Sequence, residues 1–161
     1  MTKALLLKTD GTHRRVDLPA QGTYKEICRL VADDEGFDVV HDREKRIRGY
    51  IHDRGLLVRL PVNPVASLLF GINLVGDVLV TNPFNPSGLA DGHDYDLDDR
   101  WFNENTLTKF KSISEDKSII EALEEDVKNM DLNHHMYSLT DEQMTEYMQT
   151  GIIPENATKV V

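Results

Sequence analysis

Short apolar runs, broken at close intervals by turn-forming residues, fill the first 81 residues of this chain. Ala4-Leu-Leu-Leu7 is followed by Asp10-Gly11, a pair typical of hairpin turns, and then by a second run ending at Leu18. No run approaches the roughly 20 residues that span a bilayer. The pattern predicts an α+β fold, in which a small, mainly antiparallel sheet with two helices is followed by an acidic helical C-terminal segment.

We predict the element order ββαβββαβ for this first part. The predicted elements are strands 3–8 and 13–18, a helix opened by the capping box Thr23–Glu26, strands Phe37–His41, Ile47–His52 and Leu56–Val62, a helix Val65–Phe70, and a strand Gly76–Thr81. Asn63 is expected to cap the second helix, with Pro64 in its first position and Gly71 at its end. The nearly all-apolar strand Gly76–Thr81 is expected to be central. Alternation around strand Ile47–His52 predicts a meander with one solvent-exposed face, on which Arg46, Arg48 and Tyr50 lie.

Charge is distributed unevenly along the chain. Residues 1–80 carry 12 Lys/Arg and 11 Asp/Glu, whereas residues 81–161 carry 6 and 17, so a net of +1 is followed by a net of −11. The change falls in segment 81–92, where two prolines and two glycines are typical of turns. We therefore predict an α+β domain over residues 1–82, an acidic linker over 83–100 and a helical appendage over 101–161.

The acidic half also contains helical spacing. Ile120, Leu123, Val127 and Met130 recur three and four residues apart, which predicts a helix from about 114 to 130 with an acidic outer face. Ser112-Ile-Ser-Glu115 reads as its capping box. A last short helix is expected between Thr140 and Gly151.

The stretch from Gly49 to Leu69 contains a strand–turn–strand and the segment Leu60-Pro-Val-Asn-Pro-Val-Ala66, and Val75-Gly-Asp-Val78 follows it. Together these resemble an uncharacterised domain family, a domain of unknown function that is common in bacteriophages and mobile elements. The resemblance covers roughly residues 1–82, about half the chain. It implies a small accessory protein that acts in the host cytoplasm, and it brings no catalytic residues.

Motifs for catalysis and cofactors are missing from the sequence. There is no phosphate-binding glycine loop, no dinucleotide-binding glycine turn, no His-Glu-x-x-His helix and, with Cys28 the only cysteine, no cysteine pair for zinc or an intrachain disulfide. Asp94, Asp96 and Asp98 alternate as at the start of a calcium loop, but Asp99 stands where that loop needs glycine. We predict no catalytic residue, metal or cofactor, and the question of an enzyme stays open.

Acidic side chains suggest a binding function. Acids on helical faces could imitate the phosphates of DNA and occupy a basic groove on a nucleic-acid-handling protein of the host or the phage. An aromatic pair beside them could anchor such a partner, although fixing the second half onto the first is its more usual role. The candidate partner-binding residues are Asp94, Asp96, Asp98, Asp99, Trp101, Phe102, Glu124, Glu125 and Asp126.

Two alternatives use the same charges differently. A nucleic-acid-binding module could use Arg46, Arg48 and Arg59 with Tyr50 as a stacking platform, but a net of +1 is weak and the acidic half would repel the phosphates. The acidic helices could instead dock on the basic hairpin, within one chain or across a homodimer, as in a self-associating structural protein. Because the chain has no membrane span, we expect a soluble, cytoplasmic protein.

Overall fold

The computed structural model of the chain describes residues 1–134, 137–138 and 158–159. The chain divides into two compact units, Met1–Glu124 and Glu125–Val161. The described residues form a mainly antiparallel sheet of six strands together with four helices, so the predicted α+β class is confirmed. The predicted helix between Thr140 and Gly151 lies outside the described residues.

The described elements are β1 Thr2–Leu7, β2 His13–Leu18, α1 Thr23–Val31, β3 Phe37–Asp42, β4 Ile47–His52, α2 Pro64–Phe70, β5 Val78–Phe84, β6 Ala90–Tyr95, a 3-10 turn Asp99–Trp101, α3 Glu104–Ser114, α4 Lys117–His134, β7 Tyr137–Ser138 and β8 Thr158–Lys159. The hairpin of β1 and β2 and the hairpin of β3 and β4 agree with the predicted strands. The second unit contains the antiparallel pair of β7 and β8.

The sheet has the strand order β2-β1-β5-β4-β3, and every neighbouring pair is antiparallel. β5 is central, as its apolar sequence predicts. Its first part pairs with β1 on one side and β4 on the other, and its last part pairs with β6, where Asn82 faces Tyr95 and Phe84 faces Ala90. The register shifts between these two pairs, because only Pro83 separates Asn82 from Phe84 on β5 while four residues separate Ala90 from Tyr95 on β6. Pro83 has no N–H to give to a ladder.

The sheet is packed on both faces, because alternate residues of β1 enter two different cores. Leu5 and Leu7 join the α2–α3 core, with Ile47, Val65, Ala66, Leu69, Phe70, Leu74, Val78, Val80, Leu97, Trp101 and Phe110. Ala4 and Leu6 join the α1 core, with Leu18, Ile27, Val31, Ala32, Tyr50 and Leu79. The predicted solvent-exposed face is therefore wrong for β4, whose Tyr50 is only 3% exposed under α1.

Asn63 caps α2 as predicted, and it does more than a cap requires. Its Oδ1 accepts a hydrogen bond from the Ala66 amide (3.1 Å), while its Nδ2 donates to the carbonyl oxygens of Leu7 (2.9 Å) and Gly76 (3.0 Å). The side chain is fully buried. A buried carbonyl without a partner costs about 1–3 kcal/mol, so this one amide holds the end of β1, the start of α2 and the approach to β5 together.

The strand predicted over Leu56–Val62 is wrong. The chain turns after β4 instead, with Val58 N–H donating to Arg54 O (3.0 Å) and Leu60 N–H donating to Gly55 O (3.0 Å). Arg59 has a φ of 56°, in the left-handed region that an extended strand does not use. Val62 makes one isolated bridge to Val75.

The structure does not divide at residue 82. β5 runs to Phe84 and β6 starts at Ala90, so the predicted linker 83–100 contributes a strand to the sheet. The prolines and glycines of segment 81–92, which predict a boundary, lie instead at the register shift beside Pro83 and at the tight turn of Gly88, whose φ is 81°. The first compact unit continues through α3, as far as Glu124.

Two predicted capping boxes are also wrong. Gly22 is the N-cap of α1, since the Thr23 hydroxyl donates to Pro19 O (2.7 Å) and Glu26 pairs with Arg29. The helix predicted from about 114 to 130 is α4, which begins at Lys117, and the predicted capping box Ser112–Glu115 lies instead at the end of α3.

The caps of α3 and α4 lie elsewhere than the sequence predicts. Asp116 accepts from the amides of Ser118 (3.0 Å) and Ile119 (3.3 Å) at the start of α4. α3 lies within the predicted helical appendage, although no helix with its bounds was predicted, and its N-cap is Asn103, whose Oδ1 accepts from Thr106 N–H (2.9 Å).

We expect Asn63→Asp to destabilise the first unit by at least about 2 kcal/mol at neutral pH, because a carboxylate keeps the helix cap but faces two buried carbonyl oxygens without a donor. Asn103→Asp is the matched control, since Asp and Asn cap exposed helices about equally well. Urea unfolding followed by circular dichroism measures both. Equal unfolding midpoints for the two variants would show that the Nδ2 bonds of Asn63 contribute nothing.

Candidate functional site

A polar cluster lies inside the first unit, on the α1 face of the sheet. The carboxylate of Asp94 on β6 accepts hydrogen bonds from the hydroxyls of Tyr50 (2.6 Å) and Thr81 (2.6 Å) and from Nη1 of Arg48 (3.1 Å). Arg48 and Tyr50 are two residues apart on β4, and Thr81 of β5 is directly opposite Arg48. The register of β4 against β5 therefore puts three donors on one face, and β6 brings the acceptor.

The cluster is largely shielded from water. The side chains of Arg48 and Asp94 are 13% and 9% exposed, so this ion pair is screened much less than a surface pair. Burial raises the pKa of Tyr50 far above its usual value, and its hydrogen bond to Asp94 raises the pKa further. Tyr50 thus acts as a donor to Asp94 throughout the physiological pH range.

His41 extends this cluster toward the surface. It lies opposite Arg48 in the β3–β4 ladder, and the Nε of Arg48 donates to its Nε2 (3.2 Å). Desolvation lowers the pKa of His41, and the nearby charges of Arg48 and Arg43 lower it further. The imidazole is therefore neutral at pH 7, with its proton on Nδ1, because Nε2 is occupied as an acceptor.

A cleft of about 410 Å³ opens where the β3–β4 turn meets the β5–β6 hairpin. We call it the arginine cleft, and it is lined by His41, Asp42, Arg43, Ile47, Arg48, Pro83, Phe84 and Ala90. The guanidinium of Arg46 lies over the Phe84 ring, 4.4 Å from its centroid. The one lining carboxylate, Asp42, is held by the Lys45 ammonium (2.6 Å) and amide (3.0 Å).

The predicted acidic contact residues of segment 94–99 are used within the fold. Asp94 is inside the cluster, Asp96 accepts from the Lys3 amide (2.7 Å), and Asp98 accepts from the amide of Arg100 (3.1 Å) and pairs with its guanidinium. Asp99 pairs with Lys3 (3.0 Å), although its own side chain is 97% exposed. Two of these carboxylates, Asp94 and Asp99, thus pair with basic residues of the sheet, Arg48 and Lys3. The predicted docking of the acidic helices on the basic hairpin stays a prediction.

The aromatic pair also has an internal role. Trp101 is only 8% exposed and packs in the α2–α3 core with Leu97 and Phe110. Phe102 is partly buried against the same core, with the Lys3 ammonium 5.2 Å from its ring centroid. Because Trp101 is buried, it cannot anchor a partner. The pair instead has the more usual role of fixing the second half of the chain onto the first.

Only three of the nine predicted acidic and aromatic contact residues are exposed without a described partner. Glu124, Glu125 and Asp126 lie on α4, and no salt bridge to a lysine or arginine forms within the described ranges.

The arginines predicted to form one surface lie in different parts of the first unit. Arg46 is exposed in the β3–β4 turn and Arg48 is tied to Asp94, whereas Arg59 is in the turn after β4 and does not line the arginine cleft. Tyr50 is buried and its hydroxyl is bonded, so a stacking platform there is wrong. Sequence reasoning missed Phe84 as the aromatic residue of this region, because the two prolines around it read as a loop.

The alternating aspartates do not build a calcium loop. The carboxylates of Asp94, Asp96 and Asp98 have different protein partners, as described above. Over the described residues, no group of three or more His, Cys, Asp or Glu side chains could hold a metal ion. The sequence predicts a solvent-exposed loop here, whereas in the structure these carboxylates are hydrogen-bonded within the fold.

No protein-family model matches this chain, and neither do the curated proteins or the solved structures at a significant level. In the part of the chain that the structure describes, no helix has both the length and the hydropathy needed to cross a bilayer.

We expect Asp94→Asn to destabilise the first unit by about 3 kcal/mol, because it leaves the shielded Arg48 without its counter-charge. Asp99→Asn is the control, since its exposed ion pair contributes at most about 1 kcal/mol. Urea unfolding monitored by Trp101 fluorescence gives both values. A loss for Asp94→Asn that is no larger than the control's would refute a structural role for the cluster.

The lowered pKa of His41 has a pH consequence. Because the unfolded chain takes up the proton first, this histidine contributes stability above its unfolded pKa of about 6.5, and that contribution is lost as pH falls toward the folded pKa. Arg43→Gln removes a nearby positive charge and should raise the His41 pKa, whereas Arg54→Gln, in the turn after β4, should not. An NMR titration of the imidazole measures this, and identical midpoints in the two variants would contradict it.

Proposed function

We propose that this protein acts by protein–protein interaction and that the acidic outer face of α4 binds a basic surface on its partner. The observation that carries the proposal is the contrast between two acidic segments. Carboxylates in segment 94–99 are bonded within the fold, whereas Glu121, Glu124, Glu125 and Asp126 are exposed on α4 and have no salt bridge among the described residues.

The spacing on α4 supports a surface role for these acids. Leu123 is buried, and Ile120 and Val127 are partly buried, so one stripe of the helix is apolar. Glu121 and Glu125, four residues apart, lie on the opposite side, where like charges destabilise a helix by about 0.2–0.5 kcal/mol. Local stability does not account for their placement, whereas attraction to a basic partner does.

A basic groove that normally holds nucleic acid is the surface that fits such a face best. The attraction would be long-ranged, would weaken with salt and would place the protein in competition with the nucleic acid. A host or phage protein of that class is the partner that we propose, in keeping with the resemblance to phage and mobile-element domains, which stays a prediction.

The test is capture of partners from bacterial lysate at low and high salt, followed by binding of the purified partner in the presence and absence of duplex DNA. Glu124→Lys, Glu125→Lys and Asp126→Lys together should abolish capture while the melting temperature stays nearly unchanged. The control reverses three other exposed acids, Glu44, Glu104 and Glu115, which gives the same change in net charge.

The control distinguishes a specific surface from bulk charge. If both triple variants lose the partner equally, net charge alone explains capture and the proposed surface is wrong. Loss of folding in the α4 variant would instead indicate that these acids are needed for internal docking. DNA that fails to compete for the purified partner would exclude mimicry of nucleic acid.

A further inference from the structure

The arginine cleft brings cations and an aromatic ring together on an acidic protein. We propose that it is a binding site for a small phosphate-bearing ligand with a planar ring, which is the chemistry of a mononucleotide. This site is independent of the acidic face of α4, and neither proposal needs the other.

The first requirement is a donor that is already oriented. Arg48 has its Nε bonded to His41 and its Nη1 bonded to Asp94 and Tyr50, so the guanidinium plane is fixed from three sides. Its Nη2 has no hydrogen-bond partner among the described residues, and Arg48 lines the cleft. A phosphate oxygen could accept from this group without disturbing the bonds that hold it.

The second requirement is positive charge that the fold has not neutralised. Arg43 lines the cleft, is exposed and forms no salt bridge with any described residue. Arg46 is likewise exposed, and its described contact is with the Phe84 ring rather than with a carboxylate. Since Asp42 is already paired with Lys45, two guanidinium groups at the cleft have no counter-charge of their own.

The third requirement is an apolar surface of suitable size. Ile47, Pro83, Phe84 and Ala90 form the apolar part of the lining. Aromatic rings and arginine guanidinium planes both stack on nucleobases, and here Arg46 and Phe84 are already in contact. A cleft of about 410 Å³ is within the range of roughly 300–1,000 Å³ found for small-molecule sites.

Charge elsewhere in the chain favours a small ligand over a polymer. The whole protein carries a net charge of −10, so an extended polyanion would be repelled outside the cleft. A monophosphate places its charge only where the arginines are. The cleft therefore fits a free mononucleotide better than a nucleic-acid strand.

The test is NMR titration and calorimetry of the full chain with four probes: AMP, adenosine, inorganic phosphate and a short single-stranded oligonucleotide. We expect AMP to bind with a Kd of about 1 mM or tighter, to shift the amide signals of His41, Arg43 and Ala90, and to bind more tightly than adenosine or phosphate alone. An oligonucleotide that binds more tightly than AMP would replace the proposal with a strand-binding site.

Variants of the cleft test the contact with the phosphate and the contact with the planar ring separately. Arg43→Gln should weaken AMP binding about tenfold, the effect of losing one charge-assisted hydrogen bond, while Arg54→Gln should leave it unchanged. Phe84→Leu should weaken AMP but not inorganic phosphate. Absence of AMP binding, signal shifts outside the cleft, or equal losses in Arg43→Gln and Arg54→Gln would each overturn the proposal.

Discussion

The carboxylate of Asp94 is the point at which the acidic second half of the sequence joins the basic first half. β6 has only two ladder pairs with β5, and the register shifts between them, so backbone hydrogen bonds alone hold it weakly. Three side-chain donors on Asp94 add to this attachment inside the fold. Everything that follows β6 in the first unit, including Leu97 and Trp101 in the core, depends on where this strand is fixed.

The same interaction explains how a surface arginine becomes a rigid one. Arg48 would be a flexible side chain on an open sheet, but Asp94 and His41 fix both ends of its guanidinium. Ordering such a side chain on binding usually costs about 0.5–1.5 kcal/mol, and here folding has already done so. The bonds that hold Arg48 in the fold are thus the same ones that orient it for the ligand proposed above, whereas the guanidinium of Arg43 has no described hydrogen bond or ion pair.

Sequence reasoning succeeded where local chemistry decides the structure. The two hairpins, the Asn63 cap and the central position of β5 follow from turn pairs, capping preferences and apolar runs. It failed where residues distant in sequence determine the structure. α1 covers a face of β4 that the sequence predicts to be polar and exposed. Asp94 forms an ion pair with an arginine 46 positions away. Alternation along one strand cannot show that Tyr50 has a helix above it, so the candidate site was predicted only as scattered arginines and acids.

Pro83 has an effect beyond the register shift beside it. β4 contacts β5 no further than the pair Arg48 and Thr81, so the last residues of β5 have β6 on one side and no described strand on the other. Such an exposed edge usually invites another chain to add a strand and aggregate. Because proline offers no N–H, a strand laid there would lack a donor. The arginine cleft lies at this end of β5, where Pro83 and Phe84 line it.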